Sequence, residues 1–481
     1  MDGKDIAEMA VLRAQELQCS YAEARYIKSR NTTIAMTSGN VAGIGSSDSY
    51  GLGVRIIHSG GLSFFSLNNF NKDLLEKNLR QAIRLAQSSN RKDNPIEFVP
   101  VKGVEDSWKV DYKKSFADIS NEEKLTRLQE IDKLSQQPWE AELVSRNIFY
   151  SDLVENKYLV TSDGSKITSE LQRLYFTWNF RSLHKESGHE ESRYSSFTRT
   201  QGWEVMEEEA TVQAYLQDID RTTKATARSK LIDFDSNVDF IISGEIQGII
   251  SHENCGHPHE ADRILGREGA EAGESYIQEH ILGESMIASE ELTIIDDPTI
   301  PNSGGYYKYD DEGVPARKRE LIKNGLLNEL LHNRETAKIY GIEESNAAAR
   351  VSEYNREPII RMANTGFAPG SYSSDEIFED VKKGIYLESF SEWNIDDRRY
   401  QCLYKGIVAR LIENGTLTDT YIRRPTLELT TTALLKSVDA VTKDGFVAEG
   451  ATCGKGNPMQ GAPVWTFGNS FARLRSVPVR F

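Results

Sequence analysis

The sequence predicts an α+β protein of two domains, and three observations carry that prediction. Helix-period and strand-period segments are interleaved from the first residues; a polar stretch at 218–228 divides the chain; short β-type runs around one apolar helix fill the remainder. The first domain is placed at 1–220, an N-terminal α+β domain with mixed or antiparallel sheet and helices, subdivided near 88–118. The second is placed at 225–481, a C-terminal β-rich domain built around a helix that carries a histidine cluster. A chain of 481 residues accommodates two large units or three of ordinary size.

The elements follow in order. Ile6, Met9, Ala10, Ala14 and Leu17 recur at helical spacing over 4–18. Strands are expected at 22–27, at 32–34 and at 51–57, the last turning at Gly60-Gly61 into 62–67. Asn71 is placed to cap a helix that aligns Leu75, Leu79, Ile83 and Ala86. After a polar link near 88–115, Ser120 and Glu123 form a capping-box pair. They open a helix with Leu125, Leu128, Ile131 and Leu134 that ends by Pro138.

From there to Gln217 the alternation predicts antiparallel strands, with Ser162-Asp163-Gly164-Ser165 as a hairpin turn between 158–161 and 166–180. The second half opens on a strand at 238–242, which turns into a helix with Ser243 as its N-cap. Short strands are expected later at 292–295, 359–362, 384–388, 404–411 and 473–481.

Composition excludes several classes. Hydrophobic residues are 38%, charged residues 27% and prolines only 13, which describes a packed chain rather than a disordered one. The formal net charge is −16, so nucleic acid and anionic membrane surfaces would repel the protein and neither is expected as a partner. No run of ~18 apolar residues and no signal-like apolar core occur, and a cytoplasmic protein is expected. Four cysteines (Cys19, Cys255, Cys402, Cys453) do not make a disulfide scaffold in so long a chain.

The chemistry concentrates in His252-Glu253-Asn254-Cys255-Gly256-His257-Pro258-His259, which holds three of the eight histidines. The zinc-peptidase spacing H-E-x-x-H sets two histidines about 40° apart around a helix. Here the spacing is H-E-x-x-x-H, and a five-residue step turns about 140°, so the imidazoles cannot converge on a regular helix. Gly256 and Pro258 predict that the helix fails around Gly256–His257, by unwinding or by a π-type turn.

Measured from His252, Ile246, Ile249 and Ile250 lie at about 120°, 60° and 160°, and Glu253 at about 100°. Glu253 therefore sits inside the apolar stripe, where an unpaired carboxylate costs several kcal/mol. A general base beside a metal-activated water accounts for it. A third ligand is available in the glycine-rich segment Gly450-Ala451-Thr452-Cys453-Gly454-Lys455-Gly456. One thiolate and two neutral imidazoles suit zinc and leave a coordination position open. The residues alone leave Cys255 and Cys453 as alternatives, and a closed site using both remains open.

The chain resembles the TldD/PmbA family of metalloproteases, also called modulators of DNA gyrase, and within it the TldD-like catalytic branch. The matching residues are His252-Glu253-x-x-x-His257, Cys453-Gly454-Lys455, Gly304-Gly305-Tyr306 with Asp310-Asp311-Glu312-Gly313, and Glu357-Pro358-Ile359-Ile360-Arg361-Met362-Ala363-Asn364-Thr365. The likeness runs in order through nearly the whole chain and is weakest around 88–220. Cys255 and Pro258-His259 depart from the pattern.

The resemblance implies one zinc ion held by His252, His257 and Cys453, with Glu253 as catalytic acid/base. It also implies hydrolysis of peptides or unfolded segments, by a homodimer or a heterodimer with a related subunit. Candidate substrate-binding residues are Tyr306, Tyr307, Asp310, Asp311 and His332, with Tyr309 a further candidate for the oxyanion; His259 is expected to be structural. Three alternatives stand beside this reading: a non-catalytic peptide-binding subunit with a closed structural zinc, a metallohydrolase of small amides, and Cys453 acting as a nucleophile.

Overall fold

The computed structural model describes residues 2–90, 94–234, 237–269 and 273–481. Part of the expected polar link, 91–93, lies outside the described residues. The chain folds as a mixed α+β structure with several sheets. The first is seven-stranded, in the order Gly61–Leu67, Asn40–His58, Tyr21–Thr37, Glu142–Thr161 and Lys166–His184. Its last strand pairs with Glu105–Lys109 in parallel through 166–170, and with His189–Arg199 in antiparallel fashion through 174–184.

The strands are longer than the alternation alone predicted. The runs at 22–27 and 32–34 are one strand, Tyr21–Thr37, because the polar stretch between them is paired on both sides, by Asn40–His58 and by Glu142–Thr161. Two capped helices cover one face. Asp2 caps Gly3–Glu16 through the N–H groups of Lys4 and Asp5, and Asn71 caps Lys72–Ser88 through those of Asp73 and Leu74. Ile6, Ala10, Leu75 and Leu79 bury there against Ala24, Val54 and Val160.

Helix Asn121–Leu134 starts with both halves of its capping box in place, Ser120 to the Glu123 N–H and Glu123 back to the Ser120 N–H. Its Leu128 and Ile131 join a second core with Tyr150, Phe176 and Trp178.

One expectation is overturned. The strands end at Arg199 rather than near Gln217, and Glu209–Arg228 is a helix that runs through the polar stretch at 218–228. Its Asp218, Thr222, Thr223 and Thr226 are buried. They look like a surface in sequence because their partners come from elsewhere: Trp178 and Arg193 for Asp218, Ser182 for Thr226.

Among the described residues the remainder of the chain forms two six-stranded sheets, a four-stranded one and the two-stranded pair Ala349–Arg350 with Ile359–Ile360. The first six-stranded sheet ends in the hairpin Val447–Lys455 and Gln460–Gly468, with Val447–Lys455 at its edge. The second contains Val238–Ser243 between Lys383–Leu387, which runs parallel, and Phe471–Val477, which runs antiparallel. Helix Gly244–Ile250 is buried between these sheets in the largest apolar core. Among the described residues no helix is long and apolar enough to cross a membrane.

Candidate metal centre

Ser243 closes its strand and caps the next helix, its Oγ accepting from the Ile246 N–H at 3.4 Å. All seven residues of Gly244–Ile250 are buried. Gly248 lets the helix lie directly on the hairpin, since a Cβ there would stand 2.8 Å from the backbone of Thr466 and Phe467.

The helix then widens into a π turn over Ser251–Gly256 and tightens into a 3-10 turn over His257–His259. The His257 N–H donates to the His252 carbonyl, the i to i+5 bond of a π turn. That bond overlays the two histidines, whose ring centroids are 4.9 Å apart. The distortion thus starts well before Gly256, and His257 itself keeps helical angles, φ −60° and ψ −45°. Gly256 is needed for its size: a Cβ there would collide with the Met362 sulfur.

Cys453 arrives on an edge strand rather than a loop, paired opposite Ala462. Its Sγ lies 3.3 Å from His257 Nε2, and the donor atoms of His252, His257 and Cys453 all fall within 4.8 Å of one another. Burial alone would raise the Cys453 thiol, but His257 and His252 outweigh it and hold the group well below its ordinary value. Burial would lower His257, yet Cys453 and Glu260 push it up to about 9.

The cluster therefore concentrates negative charge on sulfur and retains a proton that a cation could replace. The buried Nδ1 of His252 has no hydrogen-bond partner among the described residues, an orphaned polar atom at the cluster. Two nitrogens and a soft sulfur with these properties fit a transition-metal ion.

The surroundings brace this set. Glu260 Oε2 lies 3.2 Å from His257 Nδ1 and 3.2 Å from Lys455 Nζ. Burial would raise Glu260, but Lys455 and His257 hold it far below the usual carboxyl range. Lys455 also donates to Asp262 at 2.7 Å and to the Ile360 carbonyl at 3.0 Å, which pins the end of the Cys453 strand. Such a carboxylate behind a ligand histidine fixes its ring and raises its basicity.

Glu253 is buried beside the cluster. Its Oε1 accepts from Trp393 Nε1 at 3.1 Å and its Oε2 from Arg399 Nη1 at 2.7 Å. Burial raises its pKa, but the histidines and Arg399 more than cancel that, and the group sits below its ordinary value. Arg399 holds this place from a left-handed backbone, φ 61°, at the turn of the hairpin that also carries Trp393. The cluster opens on a cavity of about 420 Å³.

The remaining candidates lie elsewhere. Cys255 turns into the apolar core, where burial raises its thiol, and is not among the converging donors. His259 Nδ1 bonds the Cys255 carbonyl at 2.5 Å, and burial pushes the ring down to about 4. His332 meets Thr336 Oγ1 at 3.1 Å and is likewise pushed down to about 4 by burial.

Tyr306, Tyr307, Tyr309, Asp310 and Asp311 line a different cavity of about 150 Å³, against the other strand of the hairpin. Tyr307 donates to the Ala347 carbonyl at 2.7 Å, Asp310 accepts from the N–H groups of Glu312 and Val314, and Asp311 pairs with Lys157 at 2.7 Å. Sequence patterns do not single out Trp393, Arg399 or Glu260. Only Glu260, three residues past His257, carried a local signal.

A buried two-histidine, one-cysteine cluster that lines a cavity with a carboxylate beside it is a candidate metal centre. The chain belongs to the PmbA/TldA metallopeptidase family: domain 1 of that family matches residues 22–89, its central domain 114–231 and its C-terminal domain 235–460. A metalloprotease of Methanocaldococcus jannaschii is 31% identical over 95% of this chain and 96% of its own length. A zinc metalloprotease TldD homolog of Saccharolobus solfataricus is 38% identical over 31% of each chain. Among solved structures, TldE of Thermococcus kodakarensis superposes with a TM-score of 0.73 at 17% identity, over 99% of this chain and 100% of that one.

Proposed function

We propose that the protein is a zinc-dependent endopeptidase acting on peptides or unfolded protein segments. The observation that carries this is the convergence of His252, His257 and Cys453 beside the buried carboxylate of Glu253, open to one cavity. Zinc is favoured by the mixed nitrogen and sulfur donors. The name of the Saccharolobus relative supports the same choice. When bound, the ion would supply an activated water and polarise the carbonyl to be attacked.

The chain's own groups do the rest. Glu253 accepts a proton at its carboxylate and returns it to the leaving nitrogen. Arg399 keeps that carboxylate ionised before the reaction, and the Trp393 N–H fixes its orientation. Cys255, turned into the core, is not placed to close the site as a fourth ligand, which disfavours a purely structural zinc. Tyr306, Tyr307, Asp310, Asp311 and His332 are not assigned to the reaction.

Association with a second copy or a related subunit is part of the proposal. Residues 40–50 of Asn40–His58 are exposed, and beyond Leu52 the strand Gly61–Leu67 no longer covers their outer edge. An unpaired edge of that length invites a partner strand. Four unpaired thiols agree with a cytoplasmic setting.

The test is Glu253→Gln with metal content measured beside turnover of an unstructured peptide. The ion is expected to remain and the rate to fall by ~10²–10⁴. An unchanged rate overturns the role of Glu253. A metal-loaded wild type that cleaves no unstructured peptide overturns the peptidase reading.

A further inference from the structure

A second acidic group faces the cavity of the metal centre. Glu449 stands four positions before Cys453 on the regular strand Val447–Lys455, so the two side chains leave one face about 13 Å apart. Both line the same cavity.

Behind Glu449 lies a buried charge cluster that is short of positive charge. Arg193, fully buried on His189–Arg199, gives Nε to Asp218 at 3.0 Å, Nη1 to Glu245 at 2.8 Å and Nη2 to Glu449 Oε1 at 3.1 Å. Arg221 gives its Nη2 to Asp218 at 2.7 Å and to Glu245 at 2.8 Å, with Glu388 a further 3.7 Å neighbour. Three carboxylates thus share two guanidiniums before Glu388 is counted.

Asp218 and Glu245 each touch both arginines, whereas Glu449 touches one. Its Oε1 also takes the Ser195 hydroxyl at 2.8 Å, while Oε2 receives no hydrogen bond among the described residues. Of these three acids Glu449 is the least neutralised and the one that reaches the cavity, with 22% of its side chain exposed.

We propose that Glu449 selects substrates: its free oxygen binds a positively charged nitrogen of the peptide, either the terminal amine or a Lys or Arg side chain. The inference rests on the peptidase reading and deepens it. An extended chain advances ~3.3–3.6 Å per residue, so the recognised group lies about three or four residues from the bond held at the metal centre. The bound cation supplies the charge that Arg193 and Arg221 leave missing.

The recognition depends on pH. Burial, Glu245 and Asp218 raise Glu449 to about 7 against the pull of Arg193. The charged and titratable groups facing it are Arg193 and Tyr194 on His189–Arg199, Asp218 on Glu209–Arg228 and Glu245 on Gly244–Ile250, with Arg221 behind the last two. Below that value the carboxyl carries a proton and loses its attraction, so the preference is weak at pH 6 and full at pH 8.

The experiment measures Kd for labelled unstructured peptides on the metal-loaded Glu253→Gln protein, with and without Glu449→Gln. One peptide series exchanges Lys for norleucine at successive positions; another exchanges a free for an acetylated N-terminus. A preference of about tenfold for the cation is expected in one series, which also tells the side chain from the terminus. It should collapse toward unity in Glu449→Gln and at pH 6.

Glu449→Gln leaves two carboxylates for two guanidiniums, so the cluster stays balanced, and the pH series on the unaltered Glu449 needs no variant there. A ratio near one in both series, or a ratio that survives Glu449→Gln, overturns the proposal. Hydrolysis of the neutral peptide by wild type, assayed in parallel, reports on the peptidase reading by itself.

Discussion

At the scale of single residues the arrangement around His257 is the most demanding. Its Nδ1 faces Glu260, and Glu260 is held ionised by Lys455, so a carboxylate, an imidazole and a thiol follow one another at close contact. Glu260→Gln keeps the shape and removes the charge. Metal affinity measured by competition with a chelator is expected to fall by ~10–100-fold, and an affinity equal to wild type would deny Glu260 any influence on the ligand. Cys453→Ala removes the sulfur outright and is expected to leave the purified protein without stoichiometric metal.

These roles were unevenly legible. His252, Glu253 and His257 stand out because two imidazoles and a carboxylate fall on six residues of an apolar helix. Arg399 and Trp393 do not, because each acts from more than a hundred residues away, at an ordinary hairpin turn whose own sequence needs neither side chain.

At the scale of elements, the π turn turns a five-residue spacing into a converging pair. Its cost is geometric, since regular hydrogen bonding is given up inside the core. It persists because every residue of Ser251–Gly256 is buried and because the backbone packs tightly at Gly256 against Met362. Gly256→Ala is therefore expected to lower the midpoint of thermal unfolding, with an overpacking penalty of ~1–3 kcal/mol, and to reduce bound metal. Replacing Met362 by Ala in the same chain frees that space, and part of the metal binding should return. Failure of the second change to restore anything would place the strain elsewhere.

The spacing itself announced that a regular helix could not serve, but it could not say where the helix yields. Pro258 drew attention to His257, whereas the change begins at Ser251. The helix Glu209–Arg228 escaped notice for a related reason. Its buried face mixes Val212, Tyr215 and Ile219 with four threonines and Asp218, and the polar members read as solvent until distant strands bring Arg193 and Trp178 to Asp218 and Ser182 to Thr226.

At the scale of the whole molecule, buried ion clusters join the seven-stranded sheet to the part that carries the metal centre. Glu23 and Arg55 lie on neighbouring strands of that sheet, and Arg55 Nη2 reaches Glu23 at 2.9 Å and Glu312 at 2.7 Å. Arg25 also pairs with Glu23. Glu312 in turn accepts the backbone N–H of Arg334, whose side chain continues to Asp163 at 2.7 Å. Arg25 and Glu23 share a strand face two residues apart, but Arg55, Glu312, Arg334 and Asp163 could not be matched from sequence, because their contacts join distant segments.

Breaking such a cluster costs more than forming it contributes, since the remaining charge has no water to return to. Arg55→Met strands Glu312 and is expected to destabilise by ~3–5 kcal/mol, read from the midpoint of urea unfolding. Adding Glu312→Gln removes the stranded charge, and the double variant should be more stable than Arg55→Met alone. The order of the two midpoints is the decisive result: if the double variant is the weaker, the two side chains do not act as a pair.

Acid probes the same joint. Burial raises Glu23, but Arg55 and Arg25 outweigh it and hold the group below its ordinary 4.5. A depressed carboxyl stabilises the fold above its unfolded value and loses that contribution as the pH falls through the folded one. Stability in wild type should therefore decline as the pH drops below about 4.5, and this portion of the decline should be smaller in the double variant, where Glu23 keeps Arg25 and the Tyr21 hydroxyl but loses Arg55.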